Sequence, residues 1–354
     1  MKTLSKFWFV FMLLFTIAFN PTATSQDAEK DMNTTLFQML YDQTDHLPTM
    51  KIHTKVKELF KNKSITEEYY IPGTMSITVA DGDPLEFDIE AKIRGNTRKK
   101  VCDNAPIKLK LNKEQLKALG INADVDKLKL VLQCENNLRN FQQLLKEKVI
   151  YDLYSAIDPD NSMQLKMIKL EMYENGEMKE MMNAYLVEEE ENYAFRKNAI
   201  VLESGKINYA ALPRDDYFRL AFFQYMIANC DWSIANKHNI ELVKLPNVKS
   251  LVSVPYDFDY AGLVNNGYAV PPEQFPITSV TQRYFMIRTQ MTKDEVDTVV
   301  DYYEGMKPQF MDIIANQEYM DDKTKKNVTS FIEGFYKYIK NRGKVLKAVK
   351  PRNG

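Results

Sequence analysis

The sequence predicts an α+β fold in which a strand-rich N-terminal lobe precedes a helix-rich C-terminal lobe. Segments that alternate apolar and polar residues concentrate before residue 188, whereas longer segments with helical spacing dominate after it. The 354 residues are 45% hydrophobic and 27% charged, which is the composition of a globular protein with substantial cores. A formal net charge of -1 does not favour nucleic acid as a partner.

Residues 1–25 have the pattern of an export signal. Lys2 and Lys6 precede the apolar run Phe7–Phe19, and the small residues Ala23–Ser25 predict cleavage before Gln26. The apolar run is shorter than the about 20 residues that a membrane span needs. We therefore expect an exported protein, periplasmic or extracellular, whose mature chain has no transmembrane span.

The strand-rich lobe is predicted over residues 69–187, after an N-terminal extension over residues 26–68 that has no clear period. Four segments of this lobe have the composition and alternation of strands: Tyr69–Val79, Leu85–Ile93, Ile107–Leu111 and Lys127–Leu132. The sequence between the first two contains Gly and Pro and predicts a turn, so these two strands should pair.

One long helix and a hairpin complete the first lobe. The helix is predicted over Asn136–Tyr154, where Leu138 is the first of several apolar residues at helical spacing that should face the core. Leu165–Tyr173 and Met181–Val187 predict a hairpin around an Asn-Gly turn. The acidic run Glu188–Glu191 follows, and such a run is usually a solvated face.

The C-terminal lobe, residues 188–354, is predicted to contain three main helices. The first covers Asp215–Ala228 and leads into a polar loop. The second opens at a capping-box pattern of Thr292 and Glu295 and extends to about residue 315. The third covers roughly residues 322–346.

Polar residues flank a predicted hairpin in this lobe, where Ile240–Val243 and Leu251–Val254 have the composition of strands. The polar residues are Asp231, Asn236, Asn239, Asp257 and Asp259. Phosphotransferases use one Asp to orient or deprotonate a hydroxyl, while an Asn and a second Asp hold magnesium on nucleotide phosphates. Each residue alone is more often a turn or cap residue, but the set together favours phosphotransfer chemistry.

Candidate nucleotide-binding residues lie in the first lobe. The basic loop that begins at Arg94 could bind phosphate, although composition alone favours a solvated hairpin tip. Lys108 or Lys110, on an alternating strand, could reach a phosphate from the solvent face. Glu147 lies on the polar side of the predicted helix and is available for an ion pair with a strand lysine or with an exposed neighbour.

The three cysteines are Cys102, Cys134 and Cys230. Export makes a disulfide possible, and Cys102 and Cys134 could pair, but sequence does not show whether their Cα atoms are close enough. Cys230 is expected to be a small buried residue rather than a nucleophile.

In this order the motifs resemble the spore coat protein H-like (CotH-type) kinase family, an atypical branch of the protein-kinase-like fold. The resemblance covers roughly residues 85–262. Its pieces are Ile93–Thr97 as the R-G-N-[ST] loop, Lys108 on the next strand, Leu138–Asn140 at the helix start, Asn175–Gly176 with Ala184–Glu188 in the hairpin, Asp231 with Asn239, and Pro255–Asp259 in place of D-F-G.

The resemblance implies a two-lobed kinase-like fold and an ATP-dependent phosphotransferase that uses Mg²⁺ or Mn²⁺. It implies that Asp231 orients the acceptor hydroxyl, that Asn239 and Asp257 bind metal, and that Lys108 holds the α- and β-phosphates. Asn236 competes with Asn239 for the metal role, and Asp259 is a further candidate metal ligand. Arg94, Glu147 and Glu188 are the other candidate nucleotide-binding residues.

Departures from the family pattern keep a second function open. Tyr256 replaces the usual Trp, and the second Gly of the hairpin motif is missing near Met178. The alternative is a catalytically inactive kinase-like binding or scaffold module of the cell envelope. A metal-dependent hydrolase that uses His238 is disfavoured because the chain has only three His residues.

Overall fold

The computed structural model describes residues 34–44, 46–61, 69–80, 82–202 and 205–350. The predicted export signal and its cleavage position lie outside the described residues. None of the helices in the described ranges is long and apolar enough to span a membrane. The structure confirms a mixed α+β architecture.

Seven strands of the N-terminal half form a closed barrel in the order β1-β2-β3-β4-β5-β7-β6. They are β1 (Thr49–Thr54), β2 (Ile71–Ile77), β3 (Leu85–Ile93), β4 (Ile107–Leu111), β5 (Lys127–Leu132), β6 (Leu165–Glu174) and β7 (Glu177–Val187). The strands alternate in burial, as in β4 with buried Ile107, Leu109 and Leu111, so their apolar side chains form one core inside the barrel.

Closure depends on β1, which the sequence did not predict. It pairs antiparallel with β2 and parallel with β6, so that Met50 lies opposite Ile77 on one side and Leu170 on the other. The helices α1 (Leu36–Tyr41) and α2 (Val56–Lys61) pack on the same core. Within the predicted N-terminal extension, β1 is thus a strand of the barrel and the two helices pack on its core.

The predicted hairpins of this half are present. β2 pairs with β3 in antiparallel register, and β6 pairs with β7 around Asn175 and Gly176. These two turn residues have φ values of 54° and 81°, as a primed turn requires. Two short helices, α3 (Arg98–Val101) and α4 (Lys113–Ala118), lie on either side of β4 in the chain.

The second core contains the remaining helices and a small sheet. The long helix α5 (Leu138–Ile157) packs its residues from Leu144 to Tyr154 into this core rather than into the barrel. Leu138 is 67% exposed, so its predicted place in the core is wrong. It is the first residue of α5, directly after the N-cap Asn137.

The other helices are α6 (Glu190–Lys197), α7 (Arg214–Met226), α8 (Lys293–Ala315), α9 (Asp322–Ile339) and α10 (Arg342–Ala348), with a 3-10 turn at Tyr209–Ala211. Strands β8 (Ile200–Val201), β9 (Ile240–Lys244) and β10 (Val252–Pro255) form a sheet in the order β10-β9-β8. The predicted capping box is confirmed, because Thr292 and Glu295 exchange side-chain to backbone hydrogen bonds at the start of α8.

The acidic run after β7 is not the solvated face that its composition predicts. Glu188 and Glu189 are each only 2% exposed. Glu188 pairs with Arg196, and Glu189 pairs with Lys108 and Lys129. Local composition does not reveal this burial because the cations come from other strands and from α6.

Candidate active site

A loop between α7 and β9 positions Asp231. The helix ends at Met226, and Ala228, two residues later, has a φ of 54°, a value that non-glycine residues rarely adopt. The side chain of Asn229 then accepts a hydrogen bond from the Asp231 N–H at 2.9 Å. Gly262 packs against Ala228 so closely that an added Cβ would lie 2.8 Å from the Ala228 Cβ. The start of the loop is therefore held by a tight backbone contact.

Asp231 and Asn239 are in direct contact. The Asn239 Nδ2 donates to the backbone O of Asp231 at 2.8 Å and to its Oδ2 at 3.0 Å. Asn236 is exposed, and its backbone N–H donates to Ser233 Oγ at 3.2 Å. Of the two asparagines considered from sequence, Asn239 is the one that lies against Asp231.

His238 also contacts Asp231. Its Nε2 lies 2.8 Å from Asp231 Oδ1. This hydrogen bond raises the pKa of His238, while partial burial of the ring opposes the rise. The Asp231 side chain still keeps 33% of its surface exposed. His238 and Asn239 thus hold the carboxylate while part of it faces solvent.

Asp257 is brought to the same place by the β9–β10 pair. The Tyr256 N–H donates to the backbone O of Asn239 at 3.1 Å, and the Asp257 N–H donates to the hydroxyl of Tyr151 on α5 at 3.0 Å. Asp257 has a φ of 56°. Strained backbone of this kind clusters at functional sites. Here the hydrogen bonds to Asn239 and to Tyr151 hold the strained backbone in place.

The carboxyl groups of Asp259 and Glu147 are both buried near Arg98. Glu147 Oε2 lies 3.3 Å from Arg98 Nη1, and Arg98 Nη2 donates to the Leu132 O at 2.9 Å. Asp259 accepts a hydrogen bond from Tyr268 at 2.9 Å. Burial raises the pKa of Asp259, and the charges of Asp257 and Glu147 raise it further. The three carboxylates therefore repel one another in a poorly solvated region.

Arg98 was missed by sequence reasoning, which expected a solvated loop and a lysine partner for Glu147. The structure corrects both expectations, because Arg98 is buried and is itself the cation at Glu147. Burial raises the pKa of Glu147, and the Arg98 charge opposes that rise. Arg98 lies four residues before Cys102, and the Cys102–Cys134 disulfide ties α3 to the end of β5. This nearby cysteine is the sequence feature that could have pointed to a buried Arg98.

The loop that contains Arg94 joins the site through its neighbours. Thr97 Oγ1 lies 3.1 Å from the Tyr260 hydroxyl, one residue after Asp259. Burial raises the pKa of Tyr151 on α5, and the Arg94 charge acts against this rise.

Lys108 and Glu188 each form an ion pair with a residue that the sequence did not predict as its partner. Lys108 Nζ lies 3.3 Å from Glu189 Oε1 and makes no ion pair with Glu147. Glu188 accepts from Arg196 at 2.9 Å and from the Gln164 N–H at 3.0 Å. Both predicted nucleotide-binding side chains are thus engaged by protein groups.

The predicted metal ligands offer oxygen atoms of the kind that Mg²⁺ prefers. Because the Asn239 Nδ2 is committed to Asp231, its Oδ1 is the atom left for a cation. The negative charges of Asp257 and Asp259 repel each other, and a bound divalent cation would offset this repulsion. Within the described ranges, three acidic ligand atoms lie within 4.8 Å of one another only at Glu189–Glu191, and lysines already neutralise these groups.

Comparison with known proteins identifies no family. No protein-family profile and no curated protein matches the chain. Among solved structures, the chain is similar to the crystal structure of a Helicobacter pylori proinflammatory kinase, CtkA, with 12% sequence identity and a TM-score of 0.36. The match covers 63% of this chain and 90% of that one. At these values the likeness does not establish a shared fold or activity.

Proposed function

We propose that this protein is an exported, kinase-like phosphotransferase of the CotH type that uses Mg-ATP and has a two-lobed architecture. The observation that supports it best is the contact network of Asp231, Asn239 and Asp257. Asn239 bonds Asp231 through its side chain and receives the N–H next to Asp257 through its carbonyl. A hydroxyl-orienting Asp beside an Asn and a second Asp is the arrangement that phosphoryl transfer uses.

Each residue has a proposed role. Asp231 orients the acceptor hydroxyl and receives its proton, while Asn239 and Asp257 hold the metal with help from Asp259. Mg²⁺ bound there would neutralise charge on the transferred phosphoryl group. Arg94 and Lys108 are the proposed phosphate contacts, and Lys108 would exchange Glu189 for phosphate when nucleotide binds.

Thermal unfolding with and without Mg-ATP tests the nucleotide site. A ligand at 100 times its dissociation constant adds about 2.7 kcal/mol to the free energy of unfolding, so wild type should show a clear rise in Tm. Asp257→Asn should lose this rise, because Asn tolerates the left-handed backbone of residue 257 but lacks the carboxylate charge. Asp312→Ala, at an exposed position of α8, is the matched control and should keep it. Wild type that gains no stability from Mg-ATP refutes the proposal.

One observation favours a second candidate, a nucleotide-binding module without turnover. Lys108 is held by the buried Glu189 and not by Glu147. This candidate predicts that Mg-ATP stabilises the protein while no phosphate is transferred from it to any acceptor. Phosphate transfer that disappears in Asp231→Asn, with the Mg-ATP stabilisation retained, would exclude the second candidate.

Export is proposed from residues 1–25 and is supported by the Cys102–Cys134 disulfide. Disulfides persist in oxidising compartments and are rare in the cytosol. Fractionation of cells that produce the full chain, with thiol labelling of the product, tests this. Recovery only in the cytosolic fraction with both thiols reduced would contradict it.

A further inference from the structure

A cavity of about 420 Å³ opens directly beside Asp231. One wall is the loop from Cys230 to His238, and the other comes from residues 274–288. Cavities of this size enclose small molecules. Since Asp231 lines the cavity and keeps part of its carboxylate exposed, a compound bound there can bring a hydroxyl to the proposed proton acceptor.

The cavity wall is rich in aromatic side chains. Tyr209 and Tyr217 stack with ring centroids 5.6 Å apart and planes 19° apart, and Trp232 and Phe275 complete this surface. The Tyr209 hydroxyl donates to the Arg288 O, and the Tyr217 hydroxyl accepts from the Arg288 N–H, each at 2.9 Å. Tyr217 is buried and supports Tyr209 by this stacking. Because the Tyr209 hydroxyl is already used, its ring offers mainly apolar surface, which suits a ring-shaped ligand.

A positive charge lies at the cavity. Arg288 lines it and pairs with no carboxylate of the described ranges. The Asp231 carboxylate, by contrast, already accepts from His238 and Asn239. A ligand with many oxygen atoms and a negative charge complements this set.

We propose that the cavity binds the phosphate acceptor and that the acceptor is a small hydroxylated ring compound with a carboxylate, the class of the uronic acids. This inference rests on the proposed function and deepens it. The carboxylate pairs with Arg288, the ring lies against the aromatic wall, and one hydroxyl contacts Asp231. The hydroxyl oxygen forms a bond to the γ-phosphorus of ATP, the bond from that phosphorus to the β–γ bridging oxygen breaks, ADP leaves, and the hydroxyl proton goes to Asp231.

Calorimetric titration with galacturonate and with galactose tests the ligand class, because the two sugars share a ring and differ in the carboxylate. Galacturonate should bind at least about tenfold more tightly, the worth of one charge-assisted contact. Arg288→Gln should remove this difference. Arg139→Gln, which changes an exposed arginine on α5 outside the cavity, should leave it unchanged. Asp231→Asn should retain galacturonate binding and lose phosphate transfer to the sugar.

Three outcomes overturn the inference. Galactose could bind as tightly as galacturonate, the cationic sugar galactosamine could bind more tightly than both, or a serine peptide could be phosphorylated while galacturonate is not. Mg-ATP binding is measured in parallel on the same protein. If Mg-ATP stabilises the protein and galacturonate fails to bind, the acceptor class is wrong and the proposed function stands. If galacturonate binds through Arg288 and Mg-ATP does not bind, the phosphotransfer function and the acceptor role fall together.

Discussion

Replacement of Arg98 by Met should destabilise the protein strongly. The side chains of Arg98 and Glu147 are only 9% and 2% exposed, so solvent screens their interaction little. Arg98→Met would leave the Glu147 carboxylate buried without its cation and the Leu132 O without its donor. Breaking a buried pair in this way costs about 3–5 kcal/mol, and we expect a loss of this size in the free energy of unfolding at pH 7.

The double variant Arg98→Met/Glu147→Met separates the ion pair from simple packing. Replacing both charges by apolar groups of similar volume is often nearly neutral, so the double variant should recover most of the loss. The coupling free energy between Arg98 and Glu147 should be at least about 2 kcal/mol. Urea unfolding of the wild type, both single variants and the double variant gives this value.

The pH dependence of Arg98→Met adds a second readout. Burial raises the pKa of Glu147 above its ordinary value of 4.5, and without Arg98 it rises further because the arginine charge that opposes this rise is lost. A raised folded-state pKa favours the folded protein below the unfolded pKa, and this stability is lost as the pH rises through the folded pKa. The deficit of Arg98→Met should thus be smaller at pH 5 than at pH 8. A deficit below about 1 kcal/mol at pH 8, or a double variant no more stable than Arg98→Met, would refute the reasoning.

Three other predictions concern the backbone, an ion pair and the disulfide. Gly262→Ala should cost about 1–3 kcal/mol, because the added Cβ would lie 2.2 Å from a backbone oxygen, whereas Gly267→Ala meets nothing within 4 Å and should be neutral by the same urea titration. Burial raises the pKa of Glu190, but its ion pair with Lys129 lowers it more, to about 2. The stabilisation that this ionised carboxylate gives is therefore present above pH 4.5 and is lost as the pH falls towards 2. Between pH 7 and pH 3 the unfolding free energy of Glu190→Gln should thus fall less than that of wild type. Loss of the Cys102–Cys134 disulfide, with its sequence separation of 32, should cost about 3–4 kcal/mol by chain entropy, and a reductant should destabilise wild type but not the double Ala variant.

Local sequence determined the features that close within a few residues. The Asn175–Gly176 turn and the Thr292–Glu295 capping box were predicted and are present, because backbone preferences and hydrogen bonds over two or three positions decide them. Asp231 and Asn239 are only eight residues apart, so one local motif contains both residues of this contact. The strands from β2 to β7, the helix α5 and the helices α7 to α9 were also predicted from their patterns, whereas β1 was not.

Only the tertiary structure decided the features whose partners are distant in sequence. β1 closes the barrel by pairing with β6, and Arg98 meets Glu147 across 49 residues. Burial of Glu189 depends on lysines from β4 and β5, so a run of acidic letters could not reveal it. Each of these contacts stabilises the fold only once the chain between its two partners is ordered, which costs entropy. A local pattern contains no information about that ordering. For this reason the sequence did not predict that Arg98 pairs with Glu147 or that Lys108 pairs with Glu189.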